Sequence, residues 1–365
     1  MSIVELTQRC IPNQWQVPLE LAPLPEASGR GGLWVDPVHF LEVISGWALA
    51  QWAIQLSARL QPWALPSPHS PGAPRTYRDE SVLLTSFIAA AWRLSYERIT
   101  EWLTRYEALA EALGYDQFDE AGQRCTISRA QYGRRVQALG LLPYFLCFVA
   151  LVTALIRLGV IVGSDLIIDS TLLRAWYHHD PDAAWSWPSP WKGRVFGYKV
   201  HTIICRWSYL PLLFVVTPAN AHDGPLAIPM FMTVVALYGL RILIVRADAA
   251  YFNYDFLGFV HDVLRASVNV DYNLRRKGKR FLATLFFIQQ WRDVMGPRSN
   301  IERHYAFLKR YFGLKHVRVH TFIAVTRFVF QIHIAVLAVA LIATRYQRPD
   351  LINSRLKVLA FVNSG

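Results

Sequence analysis

The stretch Leu166-Ile-Ile-Asp-Ser-Thr171 decides the fold. Its first three residues are apolar and two of them are β-branched, which is typical of a short, buried strand. Asp169 is predicted to end this strand. Because ligands of open α/β sheets collect beyond the carboxyl ends of strands, the acid is a candidate functional residue. An ordinary turn or N-cap residue is the common alternative.

The elements that follow this strand predict a mixed sheet. Two further strands come directly after it, and strands and helices then alternate along the chain. The further strands are Val200–Cys205, Pro211–Val216, Arg241–Arg246 and Ser267–Asp271, and the helices are Pro225–Gly239, Asn253–Arg265, Asn300–Phe312 and Phe322–Arg345. Three successive strands followed by alternation indicate an α/β fold with helices on both faces of the sheet, in an RNase H-like arrangement.

A helical domain is predicted to precede this core. Residues 1–76 form an N-terminal segment with Pro/Gly-rich linkers, and residues 77–163 carry a helical pattern. Ser128 is a good N-cap for a helix that carries Arg134 and Arg135. Helix, turn and basic helix are compatible with a helix-turn-helix DNA-binding domain, and a solvated helix in a bundle is the alternative. Residues 164–345 form the predicted catalytic domain, and residues 346–365 a C-terminal tail.

The composition indicates a polyanionic partner. The chain has 365 residues and a formal net charge of +12, with 53% hydrophobic and 18% charged residues. It is too apolar for a disordered chain, and the basic excess suggests nucleic acid or an anionic membrane surface. The apolar runs Leu141–Val162 and Phe328–Ala343 are short or interrupted for membrane spans, so we expect buried helices and no membrane. Scattered cysteines and a polar N-terminus favour the cytoplasm.

The basic excess is concentrated between Asp271 and His320, where 12 Lys and Arg accompany 3 Asp and Glu. The densest run spans residues 275–280, and its basic members are Arg275, Arg276, Lys277, Lys279 and Arg280. Contacts of these residues with phosphate would give affinity for DNA without reading its sequence. A solvated surface loop is the alternative.

Two further acids, Asp248 and Glu302, are candidates, and a turn or N-cap residue is again the common alternative for Asp248. Asp248 follows the strand that ends in Val245-Arg-Ala247. Glu302 lies on a predicted helix, and Arg298 and Lys309 fall within about 40° of it at about 100° per residue. One edge of this helix would therefore present a guanidinium, a carboxylate and an ammonium. Ser299 and Glu302 also fit a capping box, and spacing does not separate a cap from a metal ligand.

Three polar residues between the first two acids are further candidates. Lys199 and His201 alternate with apolar residues on a strand, so they share one face, and Lys199 is a candidate DNA contact. Asp223 precedes Gly224-Pro225 and fits an N-cap, with an accessory role in an active site as the alternative.

Several tryptophans lie near Asp169 in the sequence, namely Trp176, Trp185, Trp187 and Trp191. We expect them in the core or in an interface, because a large indole normally buries most of its surface. Stacking on a flipped or unpaired base is the alternative.

Together these pieces resemble a DDE transposase of bacterial insertion sequences, of the insertion-sequence-four/five type. The resemblance spans residues 78–345 and is strongest over residues 165–320. The matching pieces are Ile168-Asp-Ser-Thr171, Gly197-Tyr-Lys-Val-His201, Thr217-Pro-Ala-Asn-Ala-His-Asp223, Ala247-Asp-Ala-Ala-Tyr251 and Arg298-x3-Glu302-x6-Lys309. In the family's signature Y-x2-R-x3-E-x6-K, the Arg, Glu and Lys match, and Met295 stands at the tyrosine position.

The resemblance implies that Asp169, Asp248 and Glu302 form a catalytic triad that binds two divalent ions, Mg²⁺ or Mn²⁺ in its place. It also implies metal-dependent cleavage at transposon ends and strand transfer into target DNA. The expected partner is double-stranded DNA with terminal inverted repeats, held by a homodimer in the bacterial cytoplasm at the nucleoid. Arg298 and Lys309 resemble residues that hold phosphates near the cleaved end. A catalytically silent DNA-binding descendant is the alternative.

Overall fold

The computed structural model describes residues 31–61, 77–187, 193–270, 293–294 and 296–360, and the chain forms two compact units. The sheet unit contains Ile156–Arg310 and Leu314–Val325. The helical unit contains Gln16–Leu155, Tyr311–Gly313 and Thr326–Gly365. The predicted basic run at residues 275–280 and Trp191 lie outside the described residues.

The sheet unit is built on a six-stranded mixed sheet. Its strands are β1 (Asp165–Arg174), β2 (Ala184–Ser186), β3 (Val195–Cys205), β4 (Pro211–Pro218), β5 (Ile244–Ala247) and β6 (Ser267–Val270). β3 is antiparallel to β1, β2 and β4, whereas β1, β5 and β6 run parallel. The predicted mixed α/β arrangement is therefore confirmed.

β1 is longer than the sequence predicted. Leu166, Ile167 and Ile168 are fully buried, but the strand continues beyond Asp169 as far as Arg174. The prediction that Asp169 ends the strand is therefore wrong. The reason is that antiparallel pairing with β3 extends β1 after its parallel pairing with β5 has stopped.

Gly197 fixes the register between β1 and β3. It pairs with Arg174, and a Cβ added to it would lie 2.0 Å from the main-chain oxygen of Leu173. The same Cβ would lie 2.7 Å from the main-chain nitrogen of Ala175. Because backbone atoms on both sides occupy this space, the close approach of the two strands requires glycine.

A buried ion pair ties the start of β1 to β5. Asp165 accepts a hydrogen bond from Nε of Arg246 at 2.8 Å and another from Nη1 of Arg206 at 2.9 Å. The side chains of Asp165 and Arg246 are 4% and 5% exposed. Removal of Asp165 would leave the guanidinium of Arg246 buried without its charged partner, so this ion pair favours the side-by-side position of the two strands.

Along the described residues, the helical unit begins with the helices that precede the sheet. They are α1 (Pro37–Val43), α2 (Gly46–Leu60), α3 (Asp79–Trp92), α4 (Tyr96–Arg105), α5 (Glu107–Ala112), α6 (Arg129–Ala138) and α7 (Leu142–Arg157). Ser128 caps α6 as predicted and forms a capping box with Gln131. α1 and α2 are separated at Ser45, whose φ of 51° is left-handed.

Further helices among the described residues are α8 (Gly224–Tyr238), α9 (Tyr254–Gly258), α10 (Asn300–Tyr311), α11 (Phe322–Arg345) and α12 (Arg355–Val358). A π-helical turn, Phe259–Val263, continues α9. α10 buries Ile301, Tyr305 and Leu308. Because these residues are spaced three or four apart, they form one apolar stripe along the helix.

α11 is long and apolar enough to cross a membrane by length and composition. However, 94% of its most apolar 18-residue window is buried inside the protein. Within the helical unit, the ring of Phe330 on α11 packs edge-on against Phe145 and Phe148 of α7. α6 and α7 are long and apolar enough to cross a membrane only when they are taken together, and they are bent by 76° where they meet. Both predicted apolar runs are therefore buried helices.

Candidate active site

Asp169 and Asp248 come directly after the last parallel pair of β1 and β5. That pair joins Ile168 to Ala247. Because paired strands lie about 4.8 Å apart, the two acids leave the parallel ladder at the same level and side by side. The structure therefore brings together the first two acids that the sequence singled out.

The main chain after each acid fixes its direction. Asp169 accepts a hydrogen bond from the N–H of Ser170 at 2.7 Å. Asp248 precedes a 3₁₀ turn, Ala249–Tyr251, and its carboxylate accepts the N–H of Ala250 at 3.3 Å. Asp248 therefore acts as an N-cap, which was the alternative to a catalytic role. Its carboxylate has further lone pairs that could bind a ligand as well.

Burial raises the pKa of Asp169 to about 7. The bond from the N–H of Ser170 opposes this rise, the negative charges of Asp248 and Asp223 add to it, and the positive charge of Arg298 opposes it. A carboxylate that is half-charged near neutral pH and lies beside other acids favours an added cation.

Asp223 belongs to this acidic cluster. It occupies the N-cap position of α8 but makes no side-chain cap bond. One carboxylate oxygen instead lies 3.0 Å from Nζ of Lys199 and 3.3 Å from Nδ1 of His201. Asp223 thus stands at the predicted N-cap position, but its side chain does not cap the helix, because its backbone is helical whereas that of a capping residue is normally extended. The predicted shared face of Lys199 and His201 is confirmed.

Lys199 and His201 differ in charge. His201 is fully buried, and burial lowers its pKa to about 4 against the opposing effect of Asp223. Its Nε2 lies 3.0 Å from Oγ1 of Thr217. Nζ of Lys199 also donates to the carbonyl of Ala221 at 2.7 Å. At neutral pH the lysine therefore supplies the positive charge beside Asp223, and the histidine supplies a neutral contact.

α10 is attached to β1 beside Asp169. Tyr305 donates its hydroxyl to the main-chain carbonyl of Asp169 at 2.8 Å. Lys309 Nζ donates to Oγ1 of Thr171 at 2.6 Å. Because Asp169 and Thr171 are two residues apart on one strand, their side chains project from the same face. Lys309 therefore reaches the face of the sheet that carries Asp169.

Arg298 and Glu302 lie at the start of α10. The charge of Arg298 acts on Asp169, whose pKa it lowers. Glu302 is exposed, one turn before Tyr305. Over the described ranges, no group of three or more His, Cys, Asp and Glu side chains is arranged to hold a metal ion. The metal-binding role of Glu302 stays a prediction.

The two predicted DNA contacts of α6 have different surroundings. Arg134 is exposed. Arg135 lies 2.5 Å from a carboxylate oxygen of Asp79 and donates to the carbonyl of Tyr77 at 2.9 Å. Arg135 therefore links α6 to the start of α3, and its DNA contact stays a prediction.

One comparison with known proteins, the match to a family model, covers this site. Residues 162–338 match the family model described as the transposase DDE domain, and this segment contains all three predicted acids. No curated protein matches the chain. A cryo-EM structure of the piggyBac transposase synaptic complex with hairpin DNA is similar at 10% identity and a TM-score of 0.42, with 90% of this chain and 83% of that chain covered. A likeness at this TM-score adds nothing about function. The family match, over just under half of the chain, supports a DDE transposase that acts in DNA transposition and recombination.

Proposed function

We propose that this protein cleaves double-stranded DNA at the terminal inverted repeats of a transposon and transfers the freed ends into target DNA. One observation carries the proposal: Asp169 and Asp248 lie side by side where β1 and β5 stop pairing, inside the segment that matches the transposase DDE domain. The strand order β4-β3-β1-β5-β6, antiparallel on one side of β1 and parallel on the other, supports an RNase H-like core.

Asp169 and Asp248 have the donor chemistry that a hard divalent cation needs. Mg²⁺ prefers oxygen ligands and retains waters, so one or two carboxylates from the protein suffice. The raised pKa of Asp169 supports this assignment, because a cation would offset the burial of its charge. When bound, two Mg²⁺ ions, or Mn²⁺ in their place, would activate the attacking oxygen and stabilise the leaving one.

Glu302 is the proposed third ligand. Its support is the attachment of α10 through Tyr305 to the carbonyl of Asp169. Side chains three residues apart are neighbours on a helix surface. Glu302, in the first turn of α10, is therefore a neighbour of Tyr305, which makes this contact. In the proposal, its exposed carboxylate turns toward Asp169 when the metal binds.

Lys309 and Arg298 are the proposed phosphate ligands nearest the acids. Lys309 reaches the face of β1 that carries Asp169, and Arg298 acts on the charge of that acid. Lys199 is 14% exposed and bonded to Asp223, so its proposed part is to hold that acid. The basic residues at positions 275–280 would add phosphate contacts that are independent of sequence.

The segment 77–163 is the proposed reader of the terminal repeats. Arg134 on the exposed side of α6 would contact DNA, while Arg135 would hold the helix through Asp79. A homodimer that pairs two ends, located in the bacterial cytoplasm at the nucleoid, completes the proposal.

A catalytically silent DNA-binding protein is the second candidate. This candidate is favoured because no group of three metal-ligating side chains is arranged to hold an ion among the described residues. Such a protein would shift DNA of the element's ends without cutting it.

Cleavage of DNA from the ends of the element distinguishes the two candidates. We expect the wild type to cut with Mg²⁺ and not with EDTA, and Asp169→Asn and Asp248→Asn to lose about 100-fold or more of the rate. Asp262→Asn is the matched control, because this acid is 70% exposed and one of its carboxylate oxygens lies 2.8 Å from Nδ1 of its neighbour His261. Cutting that survives Glu302→Gln unchanged would remove Glu302 from the triad.

A further inference from the structure

Three tryptophans at one end of the sheet are exposed. Trp176 is 50% exposed, Trp185 59% and Trp187 60%, and Tyr177 beside them is 52% exposed. The expectation of a core position is therefore wrong for these three tryptophans, and the expectation of an interface stays a prediction. Exposed indoles that gather in one place indicate a binding surface, because single aromatic residues normally bury most of their area.

Backbone pairing gathers these side chains. Trp185 of β2 lies opposite Phe196 of β3, with ring centroids 5.3 Å apart. The N–H of Ala175 donates to the carbonyl of Phe196 at 3.0 Å. Trp176, the next residue, therefore leaves β1 where β2 meets β3.

Arginines lie over two of the rings. The guanidinium carbon of Arg194 is 4.9 Å from the ring centroid of Trp187, and that of Arg318 is 5.8 Å from Trp176. A guanidinium on one face of an indole leaves the opposite face for another flat ring. Its N–H groups also suit the oxygens of a phosphate.

Two aspartates hold this surface in place. Asp180 and Asp182 accept the main-chain N–H groups of Thr321 and Phe322. These bonds fasten the loop of Trp176 to the segment that carries Arg318. The fold thus holds this loop in place before any ligand arrives, which lowers the entropic cost of binding.

We propose that this surface binds single-stranded DNA, with unpaired bases stacked on the indoles and phosphates held by the arginines. We name it the tryptophan surface; its members are Trp176, Tyr177, Trp185, Trp187, Arg194 and Arg318. Stacking accepts any base, and arginine beside the rings favours a polyanion over an apolar protein partner. The inference rests on the proposed function in one respect, since cleavage beside Asp169 would release a strand about 17 Å away along β1.

The test measures binding of a labelled oligothymidylate to the full chain in EDTA, by fluorescence anisotropy. Trp185→Ala/Trp187→Ala is expected to weaken this binding about tenfold or more, while binding of duplex end DNA changes less than about threefold. The matched control is Trp207→Ala. Trp207 is also 60% exposed and has Arg206 at 4.3 Å from its ring, but it follows the other end of β3.

Equal losses for the control, or no loss for the double variant, would overturn the proposal. So would an unchanged affinity for oligothymidylate together with a lost dimer, which would make the surface a protein interface. If the double variant does not fold, photocrosslinking of an iodouracil oligonucleotide to the wild type decides. Adducts are expected within residues 176–187, and adducts confined elsewhere would reject the surface. Because neither measurement needs cleavage, failure of the proposed reaction is scored separately.

Discussion

The hydroxyl of Tyr305 on α10 donates to the main-chain carbonyl of Asp169 on β1 at 2.8 Å. Residues from opposite ends of the sheet unit's sequence thereby meet at the acid that the proposed reaction needs. The bond fixes the backbone of Asp169, while the carboxylate of the same residue stays available for a ligand.

Tyr305→Phe removes this bond and leaves a buried carbonyl with fewer partners. We expect a loss of about 1 kcal/mol in the free energy of unfolding. We also expect the Mg²⁺ concentration for half-maximal cleavage to rise, because the first acid is less well placed. Thermal unfolding and Mg²⁺ titration of cleavage measure the two effects. An unfolding change without any change in the Mg²⁺ dependence would restrict Tyr305 to a structural role.

Lys309→Met removes the proposed phosphate ligand. The rate of strand transfer should fall about tenfold or more, whereas Lys315→Met, on an exposed position of the same unit, should change it little. Thermal unfolding of both variants provides the comparison. An equal loss of melting temperature and activity for Lys309→Met would count against a direct role.

Asp223→Asn tests the cluster of Asp223, Lys199 and His201. The substitution removes a negative charge that raises the pKa of Asp169, and it leaves the ammonium of Lys199 without its partner at 3.0 Å. We therefore expect lower stability, by about 1–3 kcal/mol, and a lower pKa for Asp169. Chemical denaturation and the pH profile of cleavage measure these outcomes. A profile identical to the wild type would separate Asp223 from the acids.

The raised pKa of Asp169 predicts how metal affinity depends on pH. Since Mg²⁺ needs the ionised carboxylate, binding must displace a proton below about pH 7. Apparent Mg²⁺ affinity should rise between about pH 6 and about pH 8, and Asp169→Asn should abolish that rise. Without metal, the stability of the fold changes in the opposite direction from the metal affinity. Between about pH 4 and about pH 7 the carboxyl of Asp169 ionises in the unfolded chain but not yet in the folded protein, so stability falls as pH rises. Melting temperatures with and without Mg²⁺ test both statements.

His333 predicts a second pH dependence, of the other sign. It is fully buried in α11 beside the carbonyl of Val329 at 2.8 Å, and burial lowers its pKa to about 4. As the pH falls, the imidazole is protonated in the unfolded chain before it is protonated in the folded protein. The contribution of buried His333 to the free energy of unfolding is therefore intact above about pH 6.5 and is lost as pH falls toward about 4. His333→Gln should therefore lose less stability on acidification than the wild type. His261→Gln is the control, because His261 is 80% exposed.

Much of the sheet and the helices could be predicted from the sequence because each element carries its own periodicity. The long apolar run of α11 gave its bounds, Phe322–Arg345, correctly. β1 was harder to predict. Only its first residues form an apolar run, and the extension to Arg174 depends on pairing with β3, which is distant in sequence.

The site residues could be predicted where a local sequence pattern places an acid at the end of a strand. Asp248 follows a strand as expected. Asp223 was assigned to a helix cap because Gly224-Pro225 follows it, and the competing signal was the pair Lys199 and His201, whose contact with it is tertiary. The contact of Tyr305 with Asp169 could not be predicted, because no local pattern reveals a hydroxyl that reaches another element.

The absence of a side chain at Gly197 has a consequence for the distance between two functions. A slide of β3 by one residue would push a neighbouring side chain into the backbone of Leu173 and Ala175, so the two strands cannot slip. The distance along β1 from Asp169 to Arg174, which separates the acids from the exposed indoles, is therefore constant. A strand of DNA that contacted both the acids and the indoles would have to span this same distance in every complex.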